Sequence, residues 1–264
     1  MAALTALAAP QGAMTRIWSR GRRVERVCYS LGAILIATGL FHLAVFFVDG
    51  GPWEGPVSWR KPTTFGVSFG LTLIAVTWVA SYLPLRDRLR TVLLTVFAVD
   101  CFVEVGGIAL QAWRGVPSHI NRETAFDSAV STVLAAGGGV LIVVLTTMAV
   151  SAFRPNPLVT PSMRLALRAG FVTLVIGLLT GAAMIARGVI EANTGTQEHA
   201  YVVTGFLKLV HGISLHGVLV LPAIAWLVSF APWSEDRRTR VVTVAVAAYG
   251  AAIAAALVYS LMRM

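Results

Sequence analysis

Residues 91–112 read TVLLTVFAVDCFVEVGGIALQA. A helix of this length, rising 1.5 Å per residue, crosses about 30 Å of hydrocarbon. Its only charged residues are Asp100 and Glu104, while Arg86, Arg88 and Arg90 precede it and Arg114 follows. The pattern predicts a transmembrane helix that carries two acids to membrane depth.

The same reading extends along the chain. Residues 27–48, 64–83, 128–153, 166–190, 203–230 and 241–261 form six further apolar stretches of spanning length, the fourth and sixth of the seven being long enough to tilt or to project past the surface. Hydrophobic residues make up 57% of the 264 and charged residues 12%, with a mean hydropathy of +0.78. A soluble domain usually carries about 25% charged residues, so lipid must cover much of this surface. The expectation is an all-α integral membrane protein with one seven-helix domain over 27–262 and a basic cytoplasmic tail over 1–26. The first 13 residues are Ala-rich and uncharged; without a basic region before an apolar core they predict a disordered tail, no cleaved signal peptide, and Met14 as an alternative start.

Basic residues set the expected orientation. Arg16, Arg20, Arg22, Arg23 and Arg26 precede the first stretch, and the even-numbered connections hold Arg86, Arg88, Arg90, Arg154, Arg164, Arg168, Arg237, Arg238 and Arg240. The opposite side has Arg60, Lys61, Arg114, Arg122, Arg187 and Arg263. The positive-inside rule therefore places the N-terminus in the cytoplasm and the C-terminus outside, in a plasma (inner) membrane. The net charge of +9 is spread over these loops, which argues against nucleic acid as a partner and for the bilayer.

A weak internal repeat is visible. WRGVPSHIN after the third stretch resembles ARGVIEANTG after the fifth, and GVLIVVLTTMAVSAF in the fourth resembles GVLVLPAIAWLVSF in the sixth. Three in–out–in hairpins plus a closing helix would account for it. Cys28 and Cys101 fall in separate apolar stretches, form no CxxC motif, and read as buried fillers.

The functional expectation rests on polar residues at membrane depth. Asp100, Glu104 and Gln111 fall within about 40° of one another around a helix of 3.6 residues per turn, with Gly107 on the same stripe. Two carboxylates one turn apart cannot both remain ionised facing lipid, so the stripe should face the bundle interior or a watery cavity, with one acid protonated and available for proton transfer. The plainer alternative is a structural pair bonded to a neighbouring Ser, Thr or His. In the sixth stretch, FLKLVHGISLHGVLVLP holds Lys208 and His211 on one face and His216 about 140° round from His211. A histidine there is otherwise a satisfied interhelical hydrogen-bond donor, and Lys208 is close enough to the outer surface to snorkel. Glu104 and His211 both fall about 12 Å below the outer surface, His42 slightly shallower, and Asp100 and His216 nearer the midplane. Three helices thus place ionisable groups in the outer half of the bilayer. The outer connections add His119 and His199 and suggest a vestibule, with Trp53, Trp59 and Trp113 as interfacial anchors.

Several classes are excluded. Five histidines are too few for a membrane di-iron desaturase, and no HExxH, GxSxG or Walker A motif occurs in a credible context. The seventh stretch lacks the lysine a retinal protein needs. The HxxxxH spacing on the sixth stretch departs from the HxxxH on the last helix of the progestin/adipoQ receptor and alkaline ceramidase group. The leading expectation is a membrane-embedded enzyme acting on a lipid-phase or amphipathic substrate from the outer leaflet. Asp100, Glu104, His211 and Lys208 would be its catalytic groups. His42, His211, His216 and Glu104 would be ligands for zinc, iron or copper, with haem less favoured. The alternatives are a proton-coupled small-molecule transporter and a non-catalytic assembly or sensor subunit.

Overall fold

The computed structural model describes residues 19, 21–195 and 197–263, and the segment expected to be a disordered tail lies outside them. The described residues form helices and no strand. These are α1 (Arg23–Asp49), α2 (Arg60–Ala80), α3 (Asp87–Trp113), α4 (Ala125–Ala152), α5 (Pro161–Thr194), the short α6 (Gln197–Val203), α7 (Lys208–Val228) and α8 (Glu235–Leu261). All except α6 are long and apolar enough to cross a membrane, giving seven candidate spans. The chain is a multi-pass membrane protein. The longest span is α5, at 34 residues, whereas the sixth expected stretch is broken: residues 204–207 form a turn around Gly205, and α7 begins only at Lys208.

Helix neighbours define the architecture. Helices α2, α3, α4, α5 and α7 touch in sequence around a ring that α2 and α7 close, α1 lies outside against α2 and α3, and α8 lies outside against α5 and α7. The tightest pairs are α1–α2 and α5–α7, both successive spans, while α3 and α4 meet much less. Of the three expected hairpins, the first and third are thus close-packed and the second is open.

Glycine permits the close pairs. A Cβ on Gly66 would sit 2.6 Å from Gly39 Cα, and one on Gly70 would sit 2.5 Å from Gly32 O, so the α1 and α2 backbones touch directly. Gly170 meets the Gly217 carbonyl and Val218 Cα in the same way on α5 and α7. Small residues at such crossings let dispersion contacts between backbones replace the missing hydrophobic drive.

Along its axis the interior divides in two. At the end carrying the N-terminal arginines it is a close-packed apolar cluster that includes Leu73, Leu94, Phe97, Met148, Phe171 and Leu221. Towards the other end the buried residues are mixed: Asp100, Glu104, Gln111, Asn121 and Asp127 lie there together with Ile108, Leu134 and a smaller apolar cluster of Met184, Leu207, Val210 and Ala256. A buried pair locks the basic end. Arg90 donates to Ala80 O at 2.6 Å and Leu83 O at 3.1 Å, satisfying carbonyls at the end of α2, and lies 3.6 Å from Glu25, which also accepts from Arg22 N at 2.7 Å. Arg90 and Glu25 are each 3% exposed.

Gly66→Ala should therefore destabilise the protein by about 1–3 kcal/mol through overpacking. Gly250→Ala, where no atom lies within 4 Å, should be neutral or slightly stabilising. Thermal melts of detergent-purified variants measure the difference, and equal melting temperatures would contradict the backbone contact.

Candidate functional site

Asp100 and Glu104 lie one turn apart on the interior face of α3, at 6% and 4% exposure. Both point at one spot on α4. A Cβ on Gly137 would stand 2.8 Å from Asp100 Oδ1 and 2.7 Å from Glu104 Oε1, so the missing side chain makes the room the two carboxylates share. Asp100 Oδ2 is buried with no hydrogen-bond partner among the described residues, an unusual state for a polar atom that desolvation penalises. Gly137 opens a run of three glycines, and Cβ atoms on Gly138 or Gly139 would meet nothing within 4 Å. The helix facing the acids thus combines one closely fitted position with two unconfined ones.

Gln111 shares the α3 stripe in sequence but serves a different cluster. Its Nε2 donates to Asp127 Oδ1 at 2.9 Å, and Arg114 Nη1 donates to the same oxygen at 2.5 Å and to Gln111 Oε1. Thr124 caps α4 by accepting from Asp127 N at 3.1 Å and donates from its hydroxyl to Asp127 Oδ2 at 2.6 Å. This network ties α3 to α4 at the polar end. Asp127 went unremarked in the sequence, although Thr124-x-x-Asp127 has the spacing of a capping box.

The histidines are held on other helices. His42 Nδ1 donates to Thr38 O at 2.8 Å, and its Nε2 accepts from Trp113 Nε1 at 3.2 Å. Its ring also stacks on Trp59 at 6.0 Å. Both nitrogens are engaged, so His42 does not offer a lone pair for a metal, and Trp59 and Trp113 enclose it in addition to any interfacial role. His211 on α7 donates from Nδ1 to Gly177 O of α5 at 2.7 Å, its ring filling the notch at Gly181. His216 donates to Gly212 O of its own helix at 2.6 Å. These bonds orient Nε2 of each ring as the lone-pair atom, the form a metal would use. Yet among the described residues no three His, Cys, Asp or Glu side chains come together to hold an ion. His42, His211, His216 and Glu104 are therefore not assembled as the expected ligand set. Lys208 is exposed at the first turn of α7 and is not buried beside the acids.

The connection between α3 and α4 closes over the polar end. Ser118, Ile120 and Asn121 are buried, and Ser131 of α4 pins the segment: its Oγ accepts from Asn121 N at 3.1 Å and donates to Asn121 O at 3.1 Å. Ile120 packs against Gly188 of α5 with φ at +63°. A β-branched residue in the left-handed region is strained by about 1–3 kcal/mol and persists only where its surroundings hold it. Its neighbour His119 hydrogen-bonds Ser118 Oγ at 2.9 Å. Burial, with a smaller contribution from the nearby Lys61 charge, lowers the His119 pKa from 6.5 to about 4. His199 of α6 lies 3.9 Å from Glu191.

Searches against protein-family models, curated proteins and solved structures find no match. The site must be interpreted from its own chemistry.

Two results should follow. Gly137→Ala, which pushes a methyl into both carboxylates, should lower the melting temperature, whereas Gly138→Ala should not, because Ala favours helix by up to about 1 kcal/mol and nothing opposes it. His119 is neutral when folded, and its folded pKa lies below its unfolded value. The unfolded chain therefore binds the proton first, and stability should fall as pH drops from about 6.5 to about 4. His119→Gln should flatten that part of a melting-temperature-against-pH profile, and an unchanged slope would remove His119 as its source.

Proposed function

We propose that the protein is a proton-coupled carrier of a small molecule, with Asp100 and Glu104 holding one proton between them. The observation that carries this reading is the shared space over Gly137, where two buried carboxylates meet and one oxygen has no partner. Two ionised carboxylates at this depth would be far more costly than a protonated and an ionised one. In the one-proton state the protonated acid donates towards its neighbour, and the remaining carboxylate oxygens are acceptors for a further proton or for a donor on the solute. Binding a second proton neutralises the pair, and releasing it restores the single negative charge. The unconfined Gly138 and Gly139 beside the pair are suited to bending α4, since glycine gives a helix local freedom. In the orientation expected from basic residues the N-terminus is cytoplasmic, the C-terminus is exoplasmic, and the chain sits in the plasma (inner) membrane.

A second reading, an acid/base enzyme acting on a lipid-phase or amphipathic substrate, draws support from the position of both buried acids of α3 away from the basic end, because an enzyme needs access from one face only. In that reading the same acids pass a proton to and from the substrate.

Proteoliposomes loaded with a pH-sensitive dye test the carrier. Imposed solute gradients should move protons through the wild type, and Glu104→Gln should reduce the flux at least about 100-fold, as loss of a proton-transfer group does. Asp100→Asn should do the same. Solute-driven proton movement that survives both replacements would sink the carboxylate relay, and no flux across a broad solute panel would favour the enzyme.

A further inference from the structure

The basic end of α1 and α3 carries a feature that the carboxylate pair does not use. The two helices run parallel from neighbouring starts, where Arg22 Nε donates to Asp87 Oδ1 at 2.9 Å. Above that contact lies a groove of about 410 Å³, walled by Val27, Cys28 and Leu31 of α1 and by Val99, Phe102 and Val103 of α3. A volume of this size falls within the range of small-molecule sites, about 300–1,000 Å³. The groove opens sideways: Val27 is 47% and Val99 59% exposed, and on transmembrane spans such faces meet hydrocarbon. A second hollow of about 350 Å³ shares Val24, Val27 and Thr95 with the first and ends at Arg22 and Arg23.

The two ends differ in chemistry. The long part is apolar throughout. At the mouth, Arg22 is already engaged by Asp87 and by Glu25 at 3.2 Å, whereas Arg23 is exposed and has no hydrogen bond or ion pair among the described residues. The first turns of α1 and α3 already hold an acid each, Glu25 and Asp87, so Arg23 is the charge left over at this mouth. An apolar groove open to hydrocarbon and ending at a spare arginine matches the two parts of one molecule. The geometry points to a bound anionic glycerophospholipid, with one acyl chain lying beside Cys28 and its phosphate at Arg23. A zwitterionic lipid would fit the channel equally well but would bring no net charge to the mouth, so charge is what distinguishes the occupant.

Native mass spectrometry of the full chain in detergent tests this, with phosphatidylglycerol and phosphatidylcholine of identical chains as probes. The wild type should retain phosphatidylglycerol in preference. Arg23→Gln should weaken phosphatidylglycerol binding about fivefold while leaving phosphatidylcholine unchanged. Val99→Trp, which fills the channel from its exposed side, should weaken both, and its melting temperature serves as the folding control. Glu104→Gln should bind lipid as the wild type does, which separates this site from the proton reading. Equal affinity for the two lipids, or an Arg23→Gln chain with wild-type preference, would overturn the assignment. So would displacement of the lipid by free glycerol phosphate, which has no chain to occupy the groove.

Discussion

A bilayer gives helices no hydrophobic reason to prefer one another to lipid, and everything in this structure follows from how they associate without one. The answer is backbone contact. Where Gly39 meets Gly66 and Gly170 meets Gly217, the absence of side chains lets helix axes approach until many weak dispersion contacts act together. Two such pairs, α1–α2 and α5–α7, flank the less tightly joined α3 and α4. Asp100 and Glu104 therefore project between helices that meet less closely than the two glycine-lined pairs.

Within that frame, hydrogen bonding has been distributed locally. His42 is answered by its own helix and by Trp113, His211 by Gly177 and Asp127 by Thr124, Gln111 and Arg114. Each of these bonds answers a polar group that would be costly to keep from water without a partner. The carboxylates differ because glycine faces them: Gly137 supplies space and no donor side chain. Asp100 Oδ2 is one of several buried side-chain atoms without a partner among the described residues, Thr63 Oγ1 and Ser214 Oγ being others, and it is the carboxylate oxygen in that group.

The seven spans were legible because spanning length and hydropathy are properties of contiguous residues, and the burial of Asp100 and Glu104 followed from the cost of showing acids to lipid. What periodicity could not carry was partnership across helices. Gln111 shares the α3 stripe, yet its partner Asp127 sits 16 residues along, beyond a loop that turns back into the bundle. Similar depth for His42, His211 and Glu104 suggested one site, but depth fixes only height along the bundle axis and leaves position around the ring free. The break before Lys208 was hidden because Val203, Phe206 and Leu207 are as apolar as a helix interior, with Thr204 and Gly205 the local signs. Arg90 reads as an ordinary loop charge, since nothing in its spacing shows that it reaches the end of α2 and Glu25.

The packed apolar cluster between the acids and the basic end also shapes the electric field across the protein. A membrane voltage falls mostly where the medium is least polarisable, here the packed stretch around Leu94, Phe97, Met148 and Phe171. The acids above it are therefore electrically nearer the polar face than their geometric depth implies. In the carrier reading, a proton reaching Glu104 from that face crosses a small part of the voltage, and one leaving towards the basic end crosses most of it. With about 2.3 kcal/mol per charge for each 100 mV, membrane potential would act mainly on the step through the apolar half.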